Sequence, residues 1–212
     1  MSAPEVMRMA DATPRLPIEP HLERDDLVVW RHRGKSQRLV LSLSGIGSQD
    51  EAVPPYEFAK IATNNGEHNA LFIIDPNRTW LNGDGLIERI VEVVESYAAD
   101  VGAQEIVTLG HSMGGFSAIV LSDYLPVKTA IALSPQYSVH PDIVGDDPRW
   151  MYFRKHIKTH QIGGCAEHMV PGTTYHVFHG GRGVEKPQRD RFPVVENLYH
   201  TILPKIAHRV PQ

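Results

Sequence analysis

The sequence carries a Gly-x-Ser-x-Gly motif at Gly110, Ser112 and Gly114, between two apolar segments of different periodicity. The preceding segment, residues 105–109, is rich in β-branched and aliphatic residues, which favour a buried strand. In the following segment, apolar residues recur at helical spacing: Phe116, Ile119, Val120 and Tyr124. A strand that turns directly into a helix needs glycine around its turn, because side chains there would clash. The motif therefore predicts a strand, a sharp turn and a helix, with Ser112 raised above the sheet edge.

Ser112 would lie at the N-terminus of this helix, where backbone N–H groups and the helix dipole favour a developing negative charge. A serine between a buried strand and an amphipathic helix is typical of a nucleophile elbow. We therefore interpret Ser112 as a nucleophile. The alternative is a structural serine in a glycine-rich turn.

Further apolar runs predict the rest of the sheet. Strands are expected at residues 26–30, 38–43, 69–75, 127–133, 173–179 and 198–203. Helices are expected after Pro54, with Phe58 and Ile61 buried, after Asp84, and over residues 150–160. Alternating strands and helices imply right-handed crossovers and a parallel sheet. The predicted fold class is α/β, with three layers, a mostly parallel sheet and helices on both faces, and its site lies at the carboxyl ends of the strands.

Composition indicates one globular domain. The 212 residues, 42% of them hydrophobic, suffice for one sizeable core. We assign residues 25–212 to a single domain and residues 1–24, with four prolines, to an extended or disordered N-terminal arm. The polar stretch 137–171 lacks periodicity and is interpreted as a cap-like insertion.

Several functional classes are disfavoured by charge and composition. The net charge of −4 gives no reason to expect nucleic acid or an acidic membrane surface as a partner. No apolar run approaches the length of a membrane span, and residues 1–26 contain no signal-like apolar segment. The single cysteine, Cys165, suits a reducing compartment. We therefore expect a cytoplasmic protein, and homo-oligomer formation stays open.

The stretch Gly110-His-Ser-Met-Gly-Gly115 resembles the elbow of the α/β-hydrolase family. The resemblance implies a serine, an acid and a histidine in that chain order, each on a loop after a successive strand. Histidine is the suitable base for a serine near neutral pH. His208 follows the last predicted strand and is the candidate base. His200 lies within that strand, so its side chain would point to a sheet face.

The acid is expected after the strand at residues 173–179. Two carboxylates are available there, Glu185 and Asp190. Glu185 comes sooner after the strand and is slightly favoured, whereas Asp190 is the more usual residue type. Either side chain could instead be a solvated surface charge.

A tetrahedral intermediate needs two backbone donors for its oxyanion. The N–H of Met113, directly after the nucleophile, is the first candidate. The second is the N–H of Ile46, in a Ser-Gly-Ile-Gly loop that takes the place of the family's His-Gly oxyanion loop.

Three motifs more narrowly resemble a group of bacterial α/β-hydrolases associated with surface-polysaccharide or glycan pathways. They are Asp75-Pro-x-Arg78-x-Trp80, Ser112-Met-Gly-Gly and Ser134-Pro-Gln136. This resemblance implies that Asp75, Arg78 and Trp80 line the substrate site. From the residues alone, Asp75 could equally be a turn-forming residue before proline, and Trp80 a core or lid-packing aromatic.

Together these features predict a serine esterase acting on a small-molecule or glycan-type ester without a cofactor. An acyltransferase with the same serine is one alternative, since both reactions share an acyl-enzyme. A non-catalytic binding protein of the same fold is another. A third is a metal site, because His156, His160, Cys165 and His168 have ligand-like spacing. We disfavour it, since twelve histidines produce such clusters readily.

Overall fold

The computed structural model describes residues 16–145 and 147–210, and these residues form one eight-stranded sheet. Its spatial order is β1-β2-β4-β3-β5-β6-β7-β8. β1 pairs antiparallel with β2 and β2 antiparallel with β4, whereas all other neighbours are parallel. The strands are β1 (Glu19–Arg24), β2 (Leu27–His32), β3 (Arg38–Leu43), β4 (Asn69–Ile74), β5 (Glu105–His111), β6 (Val127–Leu133), β7 (Thr174–Gly180) and β8 (Leu198–Leu203).

Helices pack on both faces of this sheet. They are α1 (Ala59–Ala62), α2 (Leu86–Val101), α3 (Met113–Val120), α4 (Pro141–Val144), α5 (Met151–Arg154) and α6 (Lys186–Arg189). Leu39 and Leu41 of β3 face the α2 and α3 side, while Val40 faces α1 on the other side. This alternation is the period-two pattern of a strand that is buried on both faces. No helix in the described part of the chain is long and apolar enough to cross a bilayer.

The N-terminal arm needs a correction at its end. Residues 19–24 form the edge strand β1, paired through the backbone with β2, so the folded domain begins before residue 25. Sequence reasoning missed this strand because its side chains are exposed or half-buried and show no clear apolar alternation. The first 15 residues of the predicted arm lie outside the described residues.

The helix expected after Pro54 is also shorter than predicted. Only Ala59–Ala62 is helical, and Ile61 is 70% exposed. Ala62 packs on the sheet instead, against Val40 and Phe72. Successive helical residues point about 100° apart, so the burial of Ala62 turns Ile61 to the surface.

The insertion at residues 137–171 contains α4, α5 and a short 3-10 helix at Cys165–His168. The helix predicted over residues 150–160 is confined to Met151–Arg154. Val139, Phe153 and Ile162 join the main apolar cluster. The insertion is therefore packed onto the body of the protein.

Candidate active site

Ser112 occupies the turn between β5 and α3, as the motif predicts. Its backbone φ of 57° and ψ of −120° are unusual for a residue other than glycine, and such strain is common at functional sites. A side chain at Gly114 would collide with the carbonyl oxygen of Leu43, and one at Gly110 would collide with the backbone of Gly114. The glycines are thus required by close backbone approach rather than by their φ angles.

The imidazole of His208 lies against the Ser112 hydroxyl. His208 Nε2 is 2.9 Å from Ser112 Oγ, and Ser112 is only 3% exposed. His208 lies beyond the end of β8, at the same sheet edge as the elbow. His200 lies within β8, and its Nε2 atom is 2.9 Å from Nδ1 of His179. Of the two histidines considered, the structure places His208 beside the serine.

Glu185 is the carboxylate that faces His208. Its Oε2 atom is 3.4 Å from His208 Nδ1, and its side chain is almost fully buried. Burial has the largest influence and would raise the pKa of Glu185, but the hydrogen bond to His208 and the charges of His208 and Arg149 outweigh it. The pKa of Glu185 is consequently lowered, which keeps the carboxylate ionised. Asp190 is half-exposed and pairs with Arg189.

Arg149 and Trp150, from the insertion, contact Glu185 and His208. Arg149 Nη1 is 2.8 Å from Glu185 Oε1, and Arg149 also forms an ion pair with the buried Asp147. The guanidinium lies over the Trp150 ring at 4.4 Å, and this ring is 5.2 Å from the His208 imidazole. Sequence reasoning missed both residues, because the insertion gives no periodic signal.

His111 binds the backbone of His208. Its Nε2 atom is 3.0 Å from the His208 carbonyl oxygen, which can only accept, so Nε2 carries the hydrogen. Burial lowers the pKa of His111 to about 4. His111 is therefore neutral near pH 7 and holds His208 without adding a charge.

Gln136 also contacts the Ser112 hydroxyl. Its Nε2 atom donates to Ser112 Oγ at 2.9 Å, and its Oε1 atom accepts from Trp80 Nε1 at 2.8 Å. Trp80 and Gln136 are both fully buried. The sequence motif Ser134-Pro-Gln136 contained this residue but assigned it no role.

Asp75 and Arg78, which the motif predicts at the substrate site, bind the loops around them, and their role toward a substrate stays a prediction. Asp75 accepts hydrogen bonds from the backbone of Asn77 and from the backbone and hydroxyl of Thr79. The Arg78 guanidinium donates to five backbone carbonyls, those of Ile46, Ser48, Glu51, Ala52 and Pro76. These contacts are those of loop-forming residues. The structure thus gives both a supporting position, and it buries Trp80 completely.

The predicted oxyanion loop lies directly beside the elbow, since Gly114 approaches the backbone of Leu43 and Ser44. Arg78 binds the Ile46 carbonyl, and Glu57 Oε2 accepts the N–H of Gly45 at 2.8 Å. Met113 is the first residue of α3. The roles of Met113 and Ile46 as oxyanion donors stay predictions.

The alternative metal site does not form from the residues that suggested it. In the described ranges, no group of three or more histidine, cysteine or acidic side chains could hold a metal ion. Cys165 is buried and its thiol donates to the Gln136 carbonyl, while His168 pairs with Asp123. The His160 ring packs against His140.

The structure is similar to solved structures of esterases and acetyltransferases. A capsule O-acetyltransferase of Neisseria meningitidis serogroup A is 13% identical with a TM-score of 0.63, covering 88% of this chain and 86% of that one. An acetyl xylan esterase from Paenibacillus is 12% identical with a TM-score of 0.60, covering 94% and 86%. An alpha/beta hydrolase enzyme from the metagenome of lagoon sediments at Mar Chica, Morocco, is 13% identical with a TM-score of 0.53, covering 90% and 89%.

No protein-family model and no curated protein matches the chain. At these identities the structural similarity concerns the fold alone. The protein has the α/β-hydrolase fold, so the predicted fold class is confirmed.

Proposed function

We propose that the protein is a serine esterase that cleaves a carboxylic ester through an acyl-enzyme on Ser112. The observation that supports this most strongly is the chain of contacts from Ser112 Oγ through His208 to the buried carboxylate of Glu185. A nucleophile, a base and a group that orients the base are the three parts that acyl transfer needs.

In the first half-reaction, His208 Nε2 takes the hydroxyl proton while Ser112 Oγ attacks the ester carbonyl carbon. The oxyanion that forms would accept the N–H groups of Met113 and Ile46. As the intermediate collapses, His208 returns its proton to the leaving alcohol oxygen, and the acyl group stays on Ser112. Glu185 stabilises the imidazolium while it carries the proton.

In the second half-reaction, His208 takes a proton from water, and the water oxygen attacks the acyl carbon. The bond from this carbon to Ser112 Oγ then breaks, and the proton on His208 returns to Oγ. The products are a carboxylic acid and an alcohol, and the enzyme is restored with all atoms balanced.

We further propose a small acyl group on a polar, glycan-type alcohol as the substrate. Ser112 is 3% exposed and its hydroxyl contacts the fully buried Gln136, which leaves a short acyl chain the better fit. The names of two structural neighbours, an acetyl xylan esterase and a capsule O-acetyltransferase, agree with this chemistry.

Acyl transfer is the second candidate function, supported by the capsule O-acetyltransferase among the neighbours. A sugar hydroxyl would replace water in the second half-reaction, with no change to the first. Adding a polyol acceptor to a hydrolysis assay with a short acyl ester separates the two. A transferase forms the new ester, whereas an esterase releases only acid.

The deciding experiment is labelling with a fluorophosphonate probe together with turnover of p-nitrophenyl acetate. Ser112→Ala should abolish labelling and reduce kcat by a factor on the order of a million. Ser117→Ala is the matched control, because Ser117 is a buried serine of α3 whose hydroxyl binds the Met113 carbonyl. A wild-type protein that neither reacts with the probe nor turns over the ester would favour the non-catalytic binding protein.

A further inference from the structure

The orientation of the Gln136 amide is determined by its partners. An indole N–H can only donate, so the Gln136 oxygen must face Trp80 Nε1, from which it lies 2.8 Å. The amide nitrogen must then face Ser112 Oγ, at 2.9 Å. Oxygen and nitrogen of a side-chain amide are otherwise hard to distinguish. Here the indole N–H can only donate, so the Gln136 amide has a single possible orientation.

This orientation determines the direction of the Ser112 hydroxyl. Because Oγ accepts from Gln136, its own hydrogen has to point to another acceptor, and His208 Nε2 lies 2.9 Å away. His208 Nδ1 in turn carries the hydrogen that faces Glu185. The hydrogen bonds thus run in one direction from Trp80 to Glu185.

Ser112 Oγ has four tetrahedral directions. One is its bond to Cβ, one holds the hydrogen shared with His208, and one holds the lone pair that accepts from Gln136. The remaining lone pair is free to attack the substrate carbon. Gln136 can therefore keep its hydrogen bond while Oγ attacks, and the bond strengthens as negative charge develops on the oxygen.

We propose that Gln136 is a catalytic residue that donates to the nucleophilic oxygen of Ser112, and that Trp80 is the positioning residue that orients its amide. The inference rests on the proposed function of Ser112. In acylation, Gln136 stabilises the charge on Oγ as the proton moves to His208. In deacylation, it stabilises the same oxygen as the leaving group, while the bond from the acyl carbon to Oγ breaks and His208 returns the proton.

The surroundings of the amide are built to hold it still. The backbone of this residue is anchored as well: the backbone carbonyl of Gln136 accepts from the Cys165 thiol at 3.4 Å, and that of Pro135 accepts from His179 Nε2 at 2.9 Å. Trp80 adopts a left-handed backbone with φ of 51°, which is strained for a residue other than glycine. Strain of this kind persists where the surrounding contacts determine the conformation.

The test compares Gln136→Met, Gln136→Glu and Trp80→Phe in fluorophosphonate labelling rate and in kcat/KM for p-nitrophenyl acetate. Gln136→Met keeps the length of the side chain without the donor and should lower both rates about 10- to 100-fold, as expected for one hydrogen bond to a charged group. Trp80→Phe should lower them less, because the amide is retained but can rotate. Trp30→Phe, a half-buried tryptophan on β2, is the matched control and should leave both rates unchanged.

Gln136→Glu separates catalysis from packing. When protonated, the new carboxyl can donate to Ser112 Oγ as the amide does, whereas the ionised carboxylate would accept the serine hydrogen and draw it from His208. The labelling rate of Gln136→Glu, divided by the wild-type rate at each pH, should therefore fall as pH rises through the pKa of the new carboxyl group. A purely structural residue would give a ratio that does not change with pH.

The outcomes are distinguishable. The role of Gln136 is overturned if the wild type is labelled and Gln136→Met is labelled at the same rate. It is also overturned if the labelling rate of Gln136→Glu relative to wild type does not change with pH. Either result leaves the proposed function standing. A wild type that is not labelled overturns both the role of Gln136 and the proposed function. If Gln136→Met fails to fold by circular dichroism, the pH ratio of Gln136→Glu decides alone.

Discussion

Arg149 Nη1 lies 2.8 Å from one oxygen of Glu185, while the other oxygen of this carboxylate faces His208 at 3.4 Å. Arg149 is shared with a second buried carboxylate, that of Asp147. Arg154 also lies near Asp147, so the charge of Asp147 does not depend on Arg149 alone. Protonation of His208 during the proposed reaction would place a positive charge against the Glu185 carboxylate, which is the electrostatic condition that favours an imidazolium intermediate.

Replacing Arg149 should destabilise the protein. In Arg149→Met, Asp147 and Glu185 would remain buried without their shared cation, and breaking a buried ion pair costs about 3–5 kcal/mol. The free energy of unfolding, measured by urea denaturation, should fall by about this amount. Arg182→Met is the control, since the Arg182 side chain is exposed and its guanidinium donates to the Lys205 carbonyl rather than to a buried carboxylate. Equal losses in the two variants would contradict the central position given to Arg149.

Glu185 and Asp190 should differ sharply in their effect on catalysis. Glu185→Gln keeps the shape of the side chain but removes the charge facing His208, and kcat should fall by a factor of about 10,000, as for the acid of a serine triad. Asp190→Asn should change kcat little, because Asp190 is half-exposed and pairs with Arg189. Turnover of p-nitrophenyl acetate measures both. A larger loss in Asp190→Asn would reverse the assignment of the acid.

The ionised carboxylate of Glu185 should contribute stability that is lost at acidic pH. The pKa of Glu185 in the folded state lies below its ordinary value of 4.5, despite the opposing effect of burial. A depressed carboxyl pKa contributes stability that is complete above the unfolded value and is lost as pH falls through the folded value. As pH falls below about 4.5, the Tm of the wild type should therefore fall relative to the Tm of Glu185→Gln. A difference that is constant from pH 7 to pH 3 would show that folding does not lower the pKa of Glu185.

Gly114→Ala should prevent normal folding of the elbow. The added Cβ would collide with the carbonyl oxygen of Leu43. This oxygen belongs to the central strand β3, whose backbone cannot move without disturbing the sheet. Overpacking of this kind costs about 1–3 kcal/mol or more, and labelling of Ser112 should fall with it. Gly172→Ala is the control, because nothing lies within 4 Å of a Cβ built there. Calorimetry and fluorophosphonate labelling together show whether stability and site are lost in parallel.

Sequence reasoning was most successful where the pattern is local. The predicted strands at residues 38–43 and 198–203 coincide with β3 and β8, and the elbow could be predicted because its turn and both flanking elements are contiguous. It failed for Ile61, because neither proline nor apolar content says which face of a one-turn helix meets the sheet. It also failed for β1, whose pairing depends on the backbone rather than on buried side chains.

The contacts in the site that were missed join residues that are distant in the chain. Trp80 and Gln136 are 56 positions apart, and Arg149 and Glu185 are 36 apart. The spacing of apolar residues in the sequence does not indicate which distant residues meet, so these pairs can be identified only in the folded structure. The motif also could not show that the Arg78 guanidinium binds five backbone carbonyls, which come from residues 46 to 76.

The position of Arg149 and Trp150 in the insertion limits how this protein can be re-engineered. Segments of this kind are attractive to exchange between homologues when a new substrate range is wanted, because the parent fold tolerates the change. Here such an exchange would also remove the groups that contact Glu185 and His208. A chimera should therefore keep Asp147, Arg149 and Trp150 from this chain and vary the residues around them.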